Sequence, residues 1–84
     1  MIDPRRLRVV QAVAARGSVA AAAGALHLTP PAVSQQLLAL ERETGASLID
    51  RSGRQVTLTA AGRLLAGHGE RIAAQLREGR TRPG

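Results

Sequence analysis

Apolar residues recur every three or four positions through the first part of the chain, the period of one face of an α-helix. Leu7, Val10, Val13 and Ala14 form the first stripe. Asp3 and Pro4 open it, a carboxylate that accepts backbone N–H bonds followed by a proline in the first turn, where a missing N–H costs nothing. Gly17 is its stop and Ser18 the next N-cap. Val19, Ala22, Ala23 and Leu26 then make the inward stripe of a short second helix ending near Leu26, despite Gly24.

Thr29, Pro30 and Pro31 announce a third helix, because prolines are tolerated where donors are unpaired anyway. Either Thr29 caps the N–H of Ala32 or Pro30 takes the cap, since a residue before proline avoids helical angles. Val33, Leu37 and Leu40 face the core, while Ser34, Gln35 and Leu38 point elsewhere. Thr44 and Gly45 close the helix. After Gly45 the period changes. Leu48 and Ile49, a polar tip from Asp50 to Gln55, then Val56, Thr57 and Leu58 read as two short strands around a Gly-containing turn. Thr59 caps a fourth helix, whose stripe of Ala61, Leu65, His68, Ile72 and Leu76 suits a partner helix. Gly62, Gly67 and Gly69 each lower its helicity by roughly 1 kcal/mol against Ala, so packing must hold it. The chain shows no internal repeat.

Helix, short helix, tight turn and third helix is the layout of a helix-turn-helix, and the strands add a wing. The expected fold is therefore mainly α, a winged helix-turn-helix. The major groove of duplex DNA admits one helix, whose exposed side chains reach base edges. Similar topologies also serve domains that bind only protein.

Composition narrows this picture. Eighty-four residues make one small domain, too short for a separate ligand-sensing unit. Apolar residues are 44% and charged residues 21%, as in folded globular chains, but there is no Phe, Tyr or Trp and 16 positions are Ala. The core must therefore be light, and with no Cys it has neither disulfides nor Cys-type zinc sites to support it. Association with a second copy is the remaining route to extra burial.

The net charge is +6 and the pI about 11.9, an attraction to nucleic acid or an anionic membrane. All twelve cations are Arg, which suits phosphate but is also what a GC-rich genome favours. The excess is uneven: residues 1–30 carry +3, 31–50 carry −2, 51–63 carry +3 and 64–84 carry +2. The third helix is not the attractive part.

Arg5, Arg6 and Arg8 before an apolar stretch imitate a secretory signal, but Gln11 and Arg16 interrupt it and a capped amphipathic helix fits better. The Ala-rich segments are too weakly hydrophobic to span a bilayer, so cytoplasmic residence without a membrane partner is expected. His27 and His68 lie 41 positions apart with no Cys, so neither a metal site nor a cofactor is expected. Ser34 has no base or orienting group at meaningful spacing, and the chain is not expected to be an enzyme.

The run Gly17, Ser18, Val19, Ala21, Ala22, Ala23, Leu26, His27, Leu28, Thr29, Pro31, Ala32, Val33, Ser34, Gln36, Leu37, Leu40, Glu41 and Gly45 resembles the N-terminal domain of LysR-type transcriptional regulators. So does the later run Leu48, Ile49, Arg51, Gly53, Arg54, Leu58, Thr59, Ala61 and Gly62. The resemblance spans about Asp3 to Leu76. It implies residues 1–58 as a winged helix-turn-helix and 59–78 as a linker and dimerisation helix pairing antiparallel with its counterpart, while Gly79 and Pro83 end that helix in a flexible basic tail, 79–84. It also implies a homodimer on a pseudo-palindromic duplex and sequence-specific binding for transcriptional regulation in a bacterial nucleoid. The family's larger effector domain is absent, so no small-molecule effector is expected here. The chain is either an excised DNA-binding fragment or a reduced regulator.

On this reading Ser34 and Gln35 read bases, with Thr29, Pro30 and Pro31 at the helix entrance; Gln can pair with adenine N6 and N7. Gln36 serves the backbone contact or the turn, and Leu38 faces the duplex. Arg51 and Arg54 at the wing tip, with Arg5, Arg6 or Arg8, hold phosphates, and Arg54 reaches the minor groove. Several positions depart from the family pattern. Pro30 stands where Gln is common, Gln35 where Arg is common and Leu38 where a basic residue is frequent, while Ala20 and Ala21 replace polar or basic residues. Val10, Val19 and Ile49 replace aromatic core residues. These departures support a second reading, a winged-helix dimerisation or protein-interaction module with little DNA affinity.

Overall fold

A computed structural model describes residues 3–68. Three helices, α1 (Pro4–Arg16), α2 (Val19–Leu26) and α3 (Pro30–Thr44), precede strands β1 (Ile49–Asp50) and β2 (Thr57–Leu58). Residues 60–68 are again helical and are called α4 as far as they are described. Each helix starts on a side-chain cap that satisfies an otherwise unpaired N–H. The Asp3 carboxylate accepts from the Arg5 N–H at 2.9 Å, the Ser18 hydroxyl from Ala21 at 3.1 Å and the Thr29 hydroxyl from Ala32 at 3.2 Å. The last bond settles the cap of α3. Thr29 has extended backbone angles (φ −87°, ψ 153°), as a residue before proline prefers, and Pro30 and Pro31 occupy the first two helical positions.

The three helices pack on one another around Val10, Val13, Val19, Ala22, Ala23, Val33, Leu37 and Leu40. Leu48, Ile49, Leu58 and Ala66 extend this core under the hairpin and α4. Burying each Val or Leu contributes about 1.5–3 kcal/mol, the main force available to a domain without aromatic side chains. The structure corrects the α1 stripe. Ala14 is exposed and Val9 is buried in its place, because α1 packs on β2 as well as on α2 and α3.

β1 and β2 form a two-stranded antiparallel sheet with Ile49 opposite Leu58 and Asp50 opposite Thr57, so Asp50 belongs to the ladder rather than to the tip. So short a hairpin cannot stand alone and is tied in from several sides. The Val19 N–H donates to the Val56 carbonyl at 2.8 Å, fixing β2 to the start of α2. The Glu41 carboxylate accepts from the Leu48 and Ile49 N–H groups at 2.8 and 3.2 Å, fixing β1 to α3. Thr59 donates its N–H to Leu48 O at 3.0 Å and its hydroxyl to Ser47 O at 2.6 Å, and it accepts from the Gly62 N–H at 3.1 Å as the cap of α4. Among the described residues no single helix is long and apolar enough to cross a membrane. α1 and α2 together pass on length and composition but are bent by 119°.

α4 lies against the hairpin at Gly62, where an added Cβ would sit 2.7 Å from Leu48 O and 3.0 Å from Leu58 Cβ. A backbone oxygen cannot give way as a flexible side chain does. Gly62→Ala should therefore lower stability by about 1–3 kcal/mol, in spite of alanine's better helix propensity, and thermal denaturation should show a clear fall in Tm. A Tm equal to or above the parent's would contradict the close approach.

Candidate nucleic-acid interface

α3 is a rigid cylinder with unlike sides. Val33, Leu37 and Leu40 are fully buried on one side. Opposite them Pro31, Gln35, Leu38 and Arg42, spaced four, three and four apart, form an exposed ridge. Thr29 and Pro30 are exposed at its entrance, and Ser34 is half-buried on the flank shared with Glu41, whose carboxylate holds β1. Gln36 is half-buried on the opposite flank. The turn before α3 sets its entry angle. His27 has left-handed angles (φ 58°, ψ 39°), and the Leu28 N–H reaches back to Ala23 O at 2.9 Å to close α2. A non-glycine residue pays about 1–2 kcal/mol for that conformation, so the bend is held by its surroundings.

The predicted phosphate contacts divide into free and engaged groups. Arg51 and Arg54 are exposed at the tip of the hairpin, where Asp50, Ser52, Gly53, Arg54, Gln55 and Thr57 line a shallow concavity. Arg5 is highly exposed and, among the described residues, pairs only with Asp3, at 3.3 Å, a surface pair of little strength. Arg6 is different. Its guanidinium is paired with Glu43 on α3 and donates through Nε to Gln36 Oε1 at 3.2 Å. Its charge is therefore answered within the protein, by Glu43 across the contact between α1 and α3. Arg63 donates to Leu58 O at 2.9 Å. Arg8, Arg16, Arg42, Arg51 and Arg54 form no ion pair among the described residues.

Of the stripe on the fourth helix, Ala61 and His68 are exposed, and Leu65 is half-buried against the core. Ile72 and Leu76, with the basic tail, lie outside the described residues. The stripe omits Leu64, the most exposed large apolar side chain described, at 62%. Three positions from Ala61 and four from His68, it shares their face, and helical spacing alone could have picked it in place of its neighbour Leu65. The Arg6–Glu43 pair and the Glu41 bonds carry no local sequence signal, since their partners come from separate elements. No group of three or more His, Cys, Asp or Glu is placed to hold a metal among the described residues.

Residues 4–63 match the model of the bacterial regulatory helix-turn-helix proteins of the lysR family. The chain is 50% identical over 77 residues to the RuBisCO operon transcriptional regulator of Allochromatium vinosum, covering 92% of this chain and 26% of that protein. It is 47% identical over 72 residues to the SDS degradation transcriptional activation protein of a Pseudomonas species, covering 86% and 24%. The chain thus spans about a quarter of the length of these relatives. Among solved structures, the DNA-binding domain of CbnR in complex with DNA superposes with a TM-score of 0.81 at 38% identity, over 95% of this chain and 92% of that one. The BenM DNA-binding domain bound to catB site 1 DNA superposes at 0.80 with 28% identity, over 94% and 85%.

The tip of the hairpin is ordered by Asp50, whose carboxylate accepts from both the hydroxyl and the N–H of Ser52. These bonds, the hydroxyl's first, hold the Asp50 carboxyl below its ordinary value of 3.8. A carboxyl depressed by folding stabilises the hairpin fully above its unfolded pKa, and that contribution is lost as pH falls through the depressed value. An NMR titration should place the Asp50 midpoint below 3.8 and move it upward in Ser52→Ala. An unmoved midpoint would remove Ser52 as the cause.

Proposed function

Because the chain belongs to the lysR family of bacterial regulatory helix-turn-helix proteins, transcriptional regulators and not enzymes, we propose that it binds a pseudo-palindromic duplex site as a homodimer. The opening of α3 enters the major groove. There Gln35 reads adenine through N6 and N7, Ser34 bonds a base or a phosphate, and Leu38 lies against thymine methyl groups. Thr29, Pro30 and Pro31 approach the backbone at the helix entrance, and Gln36 serves the duplex from the flank. Arg51, Arg54 and Arg5 hold phosphates, with Arg54 reaching the minor groove. A regulator of this kind works in the cytoplasm, where chromosomal DNA lies, and needs no cofactor. The observation that supports this reading is the exposed ridge of α3 on a fold that superposes on domains solved with DNA.

Residues 59–78 act as the linker helix and pair antiparallel with those of a second copy. The seam is the face that holds Ala61, Leu64, Leu65 and His68 and, further along the chain, Ile72 and Leu76. Leu64 is the better probe of it than Leu65, which also packs on its own core. A second copy also supplies the burial that a light core lacks, and sets two α3 ridges about one or more helical turns apart on the duplex.

Selection from a random duplex library followed by gel shift tests the proposal. The selected site should be palindromic and bind about 10³-fold or more tightly than random duplex. Raising salt from about 50 to 200 mM should cost on the order of 10³ in affinity for about six phosphate contacts. Selectivity under about tenfold with a flat salt response would favour the protein-interaction reading instead. For the dimer, Leu64→Glu should give monomers by light scattering, with a Tm that is lower and no longer rises with protein concentration, because the charge enters the seam that supplies the extra burial. A dimer left intact would place the interface elsewhere.

A further inference from the structure

Arg6, Gln36 and Glu43 form a cluster that joins α1 to the flank of α3. Gln36 and Glu43 are seven residues apart, two helical turns, so they stand one above the other facing α1. Arg6 lies between them, its Nε on Gln36 Oε1 at 3.2 Å and its Nη1 on the Glu43 carboxylate. A guanidinium has donors only, so the atom of Gln36 that faces it must be the amide oxygen. The amide nitrogen, with its two N–H groups, is then directed away from Arg6. It has no side-chain or backbone acceptor among the described residues. Gln36, Arg6, Gln35 and Leu38 line one depression of about 410 Å³ beside the exposed ridge.

We propose, resting on the DNA-binding reading above, that Arg6 is a positioning residue that locks Gln36 as a donor-only probe of an acceptor oxygen or nitrogen on the duplex. A free glutamine amide can turn either end outward and so tolerates donor or acceptor partners; one whose oxygen is held toward α1 by Arg6 turns its N–H groups outward. The matching chemistry is a phosphate oxygen or an acceptor on a base edge, such as guanine O6 and N7 or thymine O4. Glu43 keeps the guanidinium in place with a charge-assisted bond, so that Arg6 acts on DNA through Gln36 and not as a phosphate ligand itself. Gln35, one position away and outside this cluster, keeps the freedom to use both ends on adenine. Adjacent glutamines thereby acquire different recognition chemistry.

A double-mutant cycle on the full chain with its selected duplex tests this. Gln36→Ala should weaken binding roughly tenfold, Arg6→Ala nearly as much, and the double variant no more than Gln36→Ala alone. The salt slope should stay unchanged in Arg6→Ala. Gln36→Glu keeps an acceptor for Arg6 but removes the donors, and should bind at least as weakly as Gln36→Ala. Loss of preference at one base pair in Gln36→Ala identifies a base acceptor, and a loss equal across sequences identifies a phosphate. Additive losses with a salt slope smaller by about one unit in Arg6→Ala would show Arg6 on phosphate directly and overturn the proposal. So would parent-like binding by Gln36→Glu. Independently of DNA, the side-chain amide of Gln36 should show a high NMR order parameter that falls in Arg6→Ala. An unchanged parameter would also overturn the lock, whereas a parent that selects no duplex would sink the DNA-binding reading alone.

Discussion

The orientation of α3 rests on three aliphatic side chains, Val33, Leu37 and Leu40, all fully buried. A helix turns as a rigid body, so anchoring one face by burial fixes every other face without further interactions. The ridge of Pro31, Gln35, Leu38 and Arg42 is exposed because it lies opposite that anchor, and Gln36 and Ser34 take the two flanks for the same reason. Truncating Leu37 or Leu40 to Ala would cost about 2–5 kcal/mol and would also release the angle at which the exposed ridge is presented. Stability and the orientation of the ridge therefore rest on the same few side chains.

Beside the burial of Leu48, Ile49, Leu58 and Ala66, the hairpin and α4 are placed by directional bonds. Glu41 reaches from α3 to two N–H groups of the β1 region, Val19 reaches from α2 to Val56, and Thr59 serves both as cap and as a bond to the chain before β1. Each such bond is worth only about 0.5–1.5 kcal/mol net, but leaving its buried partner unpaired costs more. The network thus specifies where the wing sits more than how stable the domain is. Gly62 completes it by omission, since only a missing Cβ lets α4 lie this close to Leu48 and Leu58.

Charge is unevenly placed in the domain. Arg51 and Arg54 of the wing and Arg8 of α1 are exposed without an ion pair among the described residues, whereas α3 carries acidic residues that are spent on internal contacts, Glu41 on backbone N–H groups and Glu43 on Arg6. The exposed ridge of α3 thus carries one cation, Arg42, beside the uncharged Pro31, Gln35 and Leu38.

Element order was legible in the sequence because its causes are local. Asp3, Ser18 and Thr29 announce caps, Gly17 and Gly45 announce left-handed stops with φ of 91° and 72°, and apolar spacing marks the inner face of α3. The family was legible too, since spacing and residue type at many positions together are more specific than topology, and the match over residues 4–63 follows. What the sequence left open was decided by contacts between distant segments. Val9 replaces Ala14 inside because α1 meets β2, Arg6 is ion-paired because Glu43 lies across from it, and Leu64 rather than Leu65 is the exposed leucine because α4 turns Ala66 and Gly62 toward the core. Local pattern states which side of an element is apolar; which neighbour that side meets, and what becomes of the charges at its edges, follows only from packing elements far apart in the chain.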